Sequence, residues 1–208
     1  ERLLPLLQPY GGVIALGATS GQPPTPAGEG FQLTGWKPLP GAAGWAFATR
    51  GALPGSGQWP TANGSPGNSM NSGDSLVPPA GSDLALQWFG APFPSETIDR
   101  HAVPMAPLFL NGIAALLGRD NKIIALDAYN GTRLWDLVVP GIERVLASHN
   151  SAPITFSGDG RHLFAIAGPE CWMLDAATGE KKAALGGVAE GAGWGFIGPC
   201  GNLLVATS

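Results

Sequence analysis

In the second half of the chain, short apolar runs are broken by turn-forming residues roughly every 8–12 positions, a spacing that predicts all-β architecture. Leu108–Asn111 is an apolar strand closed by Asn111-Gly112. Ile113–Leu117, Ile123–Leu126 and Arg133–Val139 follow as second, third and fourth strands. The same order returns in Ile154–Ser157 (closed by Gly-Asp-Gly), His162–Ala167, Cys171–Leu174 and Lys181–Leu185. A third unit begins at Trp194, with Gly198–Gly201 as its first turn and Asn202–Ala206 as its second strand. Leu84–Gly90 (LALQWFG) is a further strand-like run upstream. The clearest single stretch is Lys122–Trp135, KIIALDAYNGTRLW. It predicts a hairpin, because Asn130-Gly131 accepts φ > 0 at both positions of a tight turn.

A shift of about 48 residues lays the chain on itself. Leu126-Asp127-Ala128 falls on Leu174-Asp175-Ala176, Gly131 on Gly179, Gly112 on Gly160 and His101 on His149. Four short strands in a unit of roughly 40–50 residues is the period of a β-propeller blade. One such sheet cannot bury both faces alone, whereas stacked blades can. In each unit an Asp-Ala-x-x-Gly turn joins the third and fourth strands. Its Asp is placed to accept turn amides and its Gly to take the left-handed conformation. There are two complete units, a partial one around Leu84–Gly90 and a truncated one after. Propellers close with about four to eight blades. Three readings follow: a piece of a longer protein, a ring completed by other chains, or a short open stack whose raw edges the 21–83 segment covers.

The first 83 residues have a different texture. Residues 1–20 read as a Leu-rich helix, a Gln8–Gly12 turn and a strand at Val13–Leu16. Residues 21–83 read as linker or long surface loops, from the stiff Gln22–Pro26 to the Gly-, Ser- and Asn-rich 51–82. Isolated aromatics there (Phe31, Trp36, Trp45, Phe47, Trp59) are placed to pin a loop to a surface. Asn63-Gly64-Ser65 and Asn130-Gly131-Thr132 match the glycosylation acceptor pattern but read as turns. Residues 84–208 carry the blades.

Composition narrows the function classes. Gly (32) and Pro (20) make a quarter of the chain, but seven Trp and a mean hydropathy of +0.12 argue against disorder throughout. The net charge of −4, with Lys and Arg scattered, leaves no basic footprint for nucleic acid or a membrane surface. No apolar run reaches the roughly 18 residues of a membrane-spanning helix. Cys171 and Cys200 read as small buried hydrophobes, with a disulfide open. Phosphate-loop, nucleophile-elbow and zinc-protease patterns are missing. The candidate ligand or partner site is Asp99-Arg100-His101 with His149, at the same phase of consecutive units, where loops entering a blade line one mouth of the central channel. Two His lack a third ligand nearby, so no metal is predicted.

ALDAYNGTRLW resembles the tryptophan-docking repeat of pyrroloquinoline-quinone-type (quinoprotein-like) propellers, whose hallmark is xLxALDaxTGxxxW. The second copy, MLDAATGEKKA, keeps Leu174, Asp175, Ala176, Thr178 and Gly179 but has Ala183 in place of the Trp. The resemblance makes Asp127, Gly131, Trp135, Asp175 and Gly179 structural repeat residues. It implies that docking of the second unit is weakened or done otherwise. Quinoprotein dehydrogenases of this type hold the quinone and a calcium ion with carboxylate and Asn side chains under a stacked Trp. Here Trp135 is accounted for by docking and no adjacent Cys pair is present, so no cofactor is expected; pyrroloquinoline quinone with calcium is the alternative. Leu86–Trp135 also resembles a group of bacterial proteins in which QWFG, DRH, PLF and ALDAYNGTxLW occur in this order. Glu1–Gly17 is similar to the LLxPGG-strand passage late in class I methyltransferase domains. The expectation is an all-β propeller segment acting as a non-catalytic binding or scaffold module, extracytoplasmic (periplasmic) by resemblance. Its partner is another protein or the remaining blades of its own. The alternatives are a quinoprotein-type oxidoreductase and an accessory region of a methyltransferase-fused protein.

Overall fold

A computed structural model of the chain describes residues 7–18, 33–76, 80–81, 85–90, 92, 95–97, 106–142, 155–186, 189 and 192–208. Among the described residues every regular element is a β-strand. The chain divides into two compact units, Glu1–Ser56 and Gly57–Ser208.

The first unit is a three-stranded antiparallel sheet. β1 (Val13–Gly17) and β2 (Leu33–Pro38) flank β3 (Trp45–Arg50). Val13 pairs with Thr49 and Gly17 with Trp45. The β2–β3 register shifts between Thr34 and Lys37, at Gly35, where φ is +23°. Ala46 and Ala48 are buried along β3. Two of these strands lie inside the 21–83 stretch read as linker or loop. Composition misled there because the strands are short and flanked by Gly and Pro, while β3 alternates buried and more exposed side chains as a half-buried sheet requires. The Gln8–Gly12 turn precedes β1, closed by Gly12 N donating to Gln8 O at 2.8 Å. The helix expected before it falls on residues 1–6, outside the described set.

The second unit holds two four-stranded antiparallel meanders, each with the strand order and length of a propeller blade. The first is β4 (Leu108–Leu110), β5 (Ile113–Leu117), β6 (Lys122–Asp127) and β7 (Arg133–Val138). The second is β8 (Phe156–Gly158), β9 (His162–Ala167), β10 (Glu170–Asp175) and β11 (Lys181–Leu185). A two-stranded piece follows, β12 (Ile197–Cys200) and β13 (Leu203–Ala206). The first strands meet one another, β4 with β8 and β8 with β12, so they form the inner side of the stack.

Side-chain alternation explains the near-continuous apolar runs, because both faces of each blade are covered. Ala115 and Ile123 join Leu108 and Leu110 on the face toward the second blade, packed on Phe156, Leu163, Ala165 and Leu174. Their neighbours Ala114, Ile124 and Leu126 face the other way, under Trp88. In the second blade Phe164, Ile166 and Cys171 turn to Ile197 of β12. Each fully buried Leu, Ile or Phe of this kind contributes about 1.5–3 kcal/mol.

Three local expectations change. The two-residue turns with both φ positive are Asn111-Gly112 (45° and 81°) and Asp120-Asn121 (57° and 56°); at Asn130-Gly131 only Gly131 is left-handed, at 73°. There the chain makes one helical turn, with Gly131 N donating to Asp127 O at 2.8 Å, before the glycine reverses it. LALQWFG contributes no strand over 85–90; its Trp is used for docking instead. In the third unit, the residues read as a turn at Gly198–Gly201 are mostly the strand β12, which tolerates Pro199 because the sheet piece is narrow, and the turn moves to Gly201-Asn202.

Candidate functional site

The two Asp-Ala-x-x-Gly turns are built alike. Asp127 Oδ1 accepts the amides of Tyr129 (2.8 Å) and Asn130 (3.2 Å). Asp175 Oδ1 accepts those of Ala177 and Thr178, both at 3.0 Å, and the Thr178 hydroxyl at 3.1 Å. Burial alone would raise the Asp175 pKa, but the Thr178 hydroxyl and the two amides outweigh it and hold the carboxyl below its ordinary range.

Each turn receives a tryptophan from the preceding segment. Trp135 Nε1 donates to Ala176 O at 2.9 Å, and its ring lies on Gly179, where a Cβ would come within 2.7 Å of Cδ2. Trp88 repeats the arrangement one unit earlier: its Nε1 donates to Ala128 O at 3.0 Å and its ring covers Gly131. Gln87 Nε2 donates to Tyr129 O at 2.7 Å, and Glu96 pairs with Arg133, so Gln87, Trp88 and Glu96 hold the first blade where a preceding sheet would stand. The role of Trp88 was missed in the sequence, although its place about 47 residues before Trp135 was a usable signal. After Ala183 the third sheet is held differently. Trp194 reaches back, donating Nε1 to Pro169 O at 3.0 Å, and Ile197 fills the pocket of Phe164, Ile166 and Cys171.

Both cysteines are free. Cys171 is fully buried, and desolvation pushes its thiol pKa up to about 11 despite the Ala165 amide; Cys200 is exposed, contrary to the reading of both as buried. Cys200 lies at the end of a narrow two-stranded sheet, which has too few neighbours to cover it.

The inner edge of the stack is occupied by the chain itself. Trp59 pairs antiparallel with Phe109 of β4, Trp59 N donating to Phe109 O at 2.8 Å and Phe109 N to Trp59 O at 3.0 Å. One residue on, Pro60 O accepts Gly158 N of β8 at 2.8 Å. Thr61 is fully buried, its hydroxyl bonded to Ser65 O at 3.0 Å. Residues 58–66 thus run as a strap along the side of the blades that faces the axial channel in a propeller.

Asp99, Arg100, His101 and His149, the candidate ligand or partner residues, lie outside the described residues. Among the described residues no group of three or more His, Cys, Asp or Glu gathers as a metal site. Among the described indoles, Trp88 and Trp135 cover glycine turns, and Trp59 pairs through its backbone with a sheet edge while its Nε1 donates to Ala62 O.

No family model and no curated protein matches this chain. Among solved structures, BamB from Moraxella catarrhalis is similar, with 20% identity over 42% of this chain and 24% of that one and a TM-score of 0.29. This chain matches about a quarter of that protein's length.

Proposed function

We propose that the chain is a non-catalytic binding or scaffold module built on quinoprotein-like propeller blades, working outside the cytoplasm as part of a larger protein or assembly. The strap supports this reading above all. In a propeller enzyme a ligand lies in the axial channel; here the edges of β4 and β8 on that side are hydrogen-bonded to Trp59 and Pro60. The docks point the same way, since Trp88 and Trp135 are engaged in covering blade turns that Asp127 and Asp175 brace from within. A protein partner or further blades is the partner class that suits rigid, stacked sheets.

The test is native mass spectrometry with absorbance spectroscopy on protein prepared with pyrroloquinoline quinone and calcium present. The expected result is polypeptide without quinone, alone or in complex with another polypeptide. A stoichiometric quinone with calcium would overturn the scaffold reading in favour of a quinoprotein-type oxidoreductase.

A further inference from the structure

Between the first and second blades, the residue following the innermost strand reaches across to the next blade. Asn111 follows β4, and its Nδ2 donates to Gly160 O at 2.8 Å. That bond fixes the amide, leaving Oδ1 to accept Gln58 Nε2 at 3.0 Å. Gln58 is therefore oriented too, with Oε1 as its remaining acceptor.

Between the second blade and β12–β13, the residue in that position is Asp159, and Gly201 follows β12. An ionised carboxylate only accepts, so Asp159 has no donor with which to repeat the bridge. A cavity of about 220 Å³ lies there, lined by Gln58, Pro60, Pro66, Asp159, Pro199 and Gly201 among others. Asp159 Oδ1 takes the amides of Arg161 (2.9 Å) and His162 (2.6 Å), and Oδ2 meets His162 Nδ1 at 3.1 Å. A carboxylate has about four acceptor sites, so one remains. Burial pushes the Asp159 pKa up, but the His162 and Arg161 contacts outweigh it, and the group is anionic at neutral pH. The three prolines lack an N–H and present ring carbons. Two residues before Asp159, in β8, the fully buried Ser157 hydroxyl has no hydrogen-bond partner among the described residues. The walls supply a negative charge, an amide oxygen and apolar surface. Two side-chain oxygens fall well short of a calcium shell.

We propose that this cavity binds a primary ammonium group on a short apolar stem, with Asp159 and the Gln58 Oε1 receiving the ammonium and Pro60, Pro66 and Pro199 the stem. The same chemistry is offered by a free alkylamine and by a lysine side chain. The test is an amide chemical-shift titration of the full 208-residue chain, following Gly158, Asp159 and Gly201. The probes are n-butylammonium, an N-acetyl-lysine amide peptide, n-butanol and potassium chloride. Saturable shifts with both amines, absent with butanol and potassium, are expected. Tighter binding of the peptide assigns the site to a lysine, and equal binding to a free amine. Asp159→Asn keeps the turn acceptor and is expected to weaken amine binding at least tenfold with the spectrum otherwise folded. Gln58→Leu, away from that turn, gives a second reading if Asp159→Asn fails to fold, with a several-fold loss expected. No saturable shift with either amine, equal response to butanol or potassium, or unchanged binding in the folded variants would overturn the site.

Discussion

At the scale of the residue, Trp135 and Gly179 form one device. The indole contributes buried area and a hydrogen bond to Ala176 O, and the glycine makes room for it while holding φ at 74°. Trp135→Phe keeps part of the area and loses the bond, which costs about 1–2 kcal/mol. Trp135→Ala loses both, about 3 kcal/mol or more. Gly179→Ala strains a left-handed position and drives a methyl into the ring, about 2–4 kcal/mol. Urea midpoints of the three variants check these values. The double variant Trp135→Ala/Gly179→Ala should cost clearly less than the sum, since the ring that the methyl strikes is gone. Asp175 adds a pH dependence. Its folded pKa lies below the ordinary 3.8, so its stabilisation is fully present above that value and is lost as pH falls through the folded one. The melting temperature should drop as the pH falls below about 4, and by a smaller amount in Asp175→Asn, which keeps the Oδ1 acceptor but cannot titrate. An equal drop in the variant would remove Asp175 from the account.

At the scale of the element, the strap is the least expected feature. Trp59 satisfies the outward amide and carbonyl of Phe109, and Pro60 O takes the Gly158 amide. Uncovered, these are sheet edges of the kind that pair with other chains. Trp59→Pro, which removes the amide donated to Phe109 O and disrupts the pairing, is expected to leave the strand content by circular dichroism nearly intact and to raise self-association, read by light scattering as concentration-dependent mass. A variant that stays monomeric over the same range would show that the edges need no cover. The blade strands were legible in sequence because both faces are apolar and the turns are Gly-punctuated; Ile113–Leu117, His162–Ala167 and Lys181–Leu185 emerge with the same bounds. The strap was not, because its hold is backbone pairing between Trp59 and Phe109, fifty positions apart by the count of the chain, and no side-chain pattern records that. Composition hid β2 and β3 for a related reason. Their neighbours are loop-forming, and only pairing makes them strands, β3 with β1 and β2 with β3. The turn at Asn130-Gly131 differs from its dipeptide preference because Asp127, three residues upstream, claims the intervening amides first.

At the scale of the whole molecule, the blades of Gly57–Ser208 behave as a one-dimensional stack, with stability divided between each sheet and its contacts to the next. The two tryptophan docks occupy different places in that stack. Trp135 joins the two complete blades, packed against the cluster that contains Leu108, Ile123, Phe156 and Leu163. Trp88 fastens residues 85–90, which form no strand, to the outer face of the first blade, over the smaller cluster of Ala114, Ile124 and Leu126. Removing an interior coupling weakens cooperation between blades, whereas removing a terminal one strips a cover and leaves that cooperation in place. Trp135→Ala should therefore broaden the urea transition, lowering the apparent m-value or splitting the curve in two as the blades unfold separately. Trp88→Ala should shift the midpoint down with the slope kept. Since the residue types and hydrogen bonds are matched, the contrast isolates position in the stack from the chemistry of the dock. Identical slopes in the two variants would mean that the blades are coupled chiefly through the apolar cluster and the strap, with the docks contributing to stability alone.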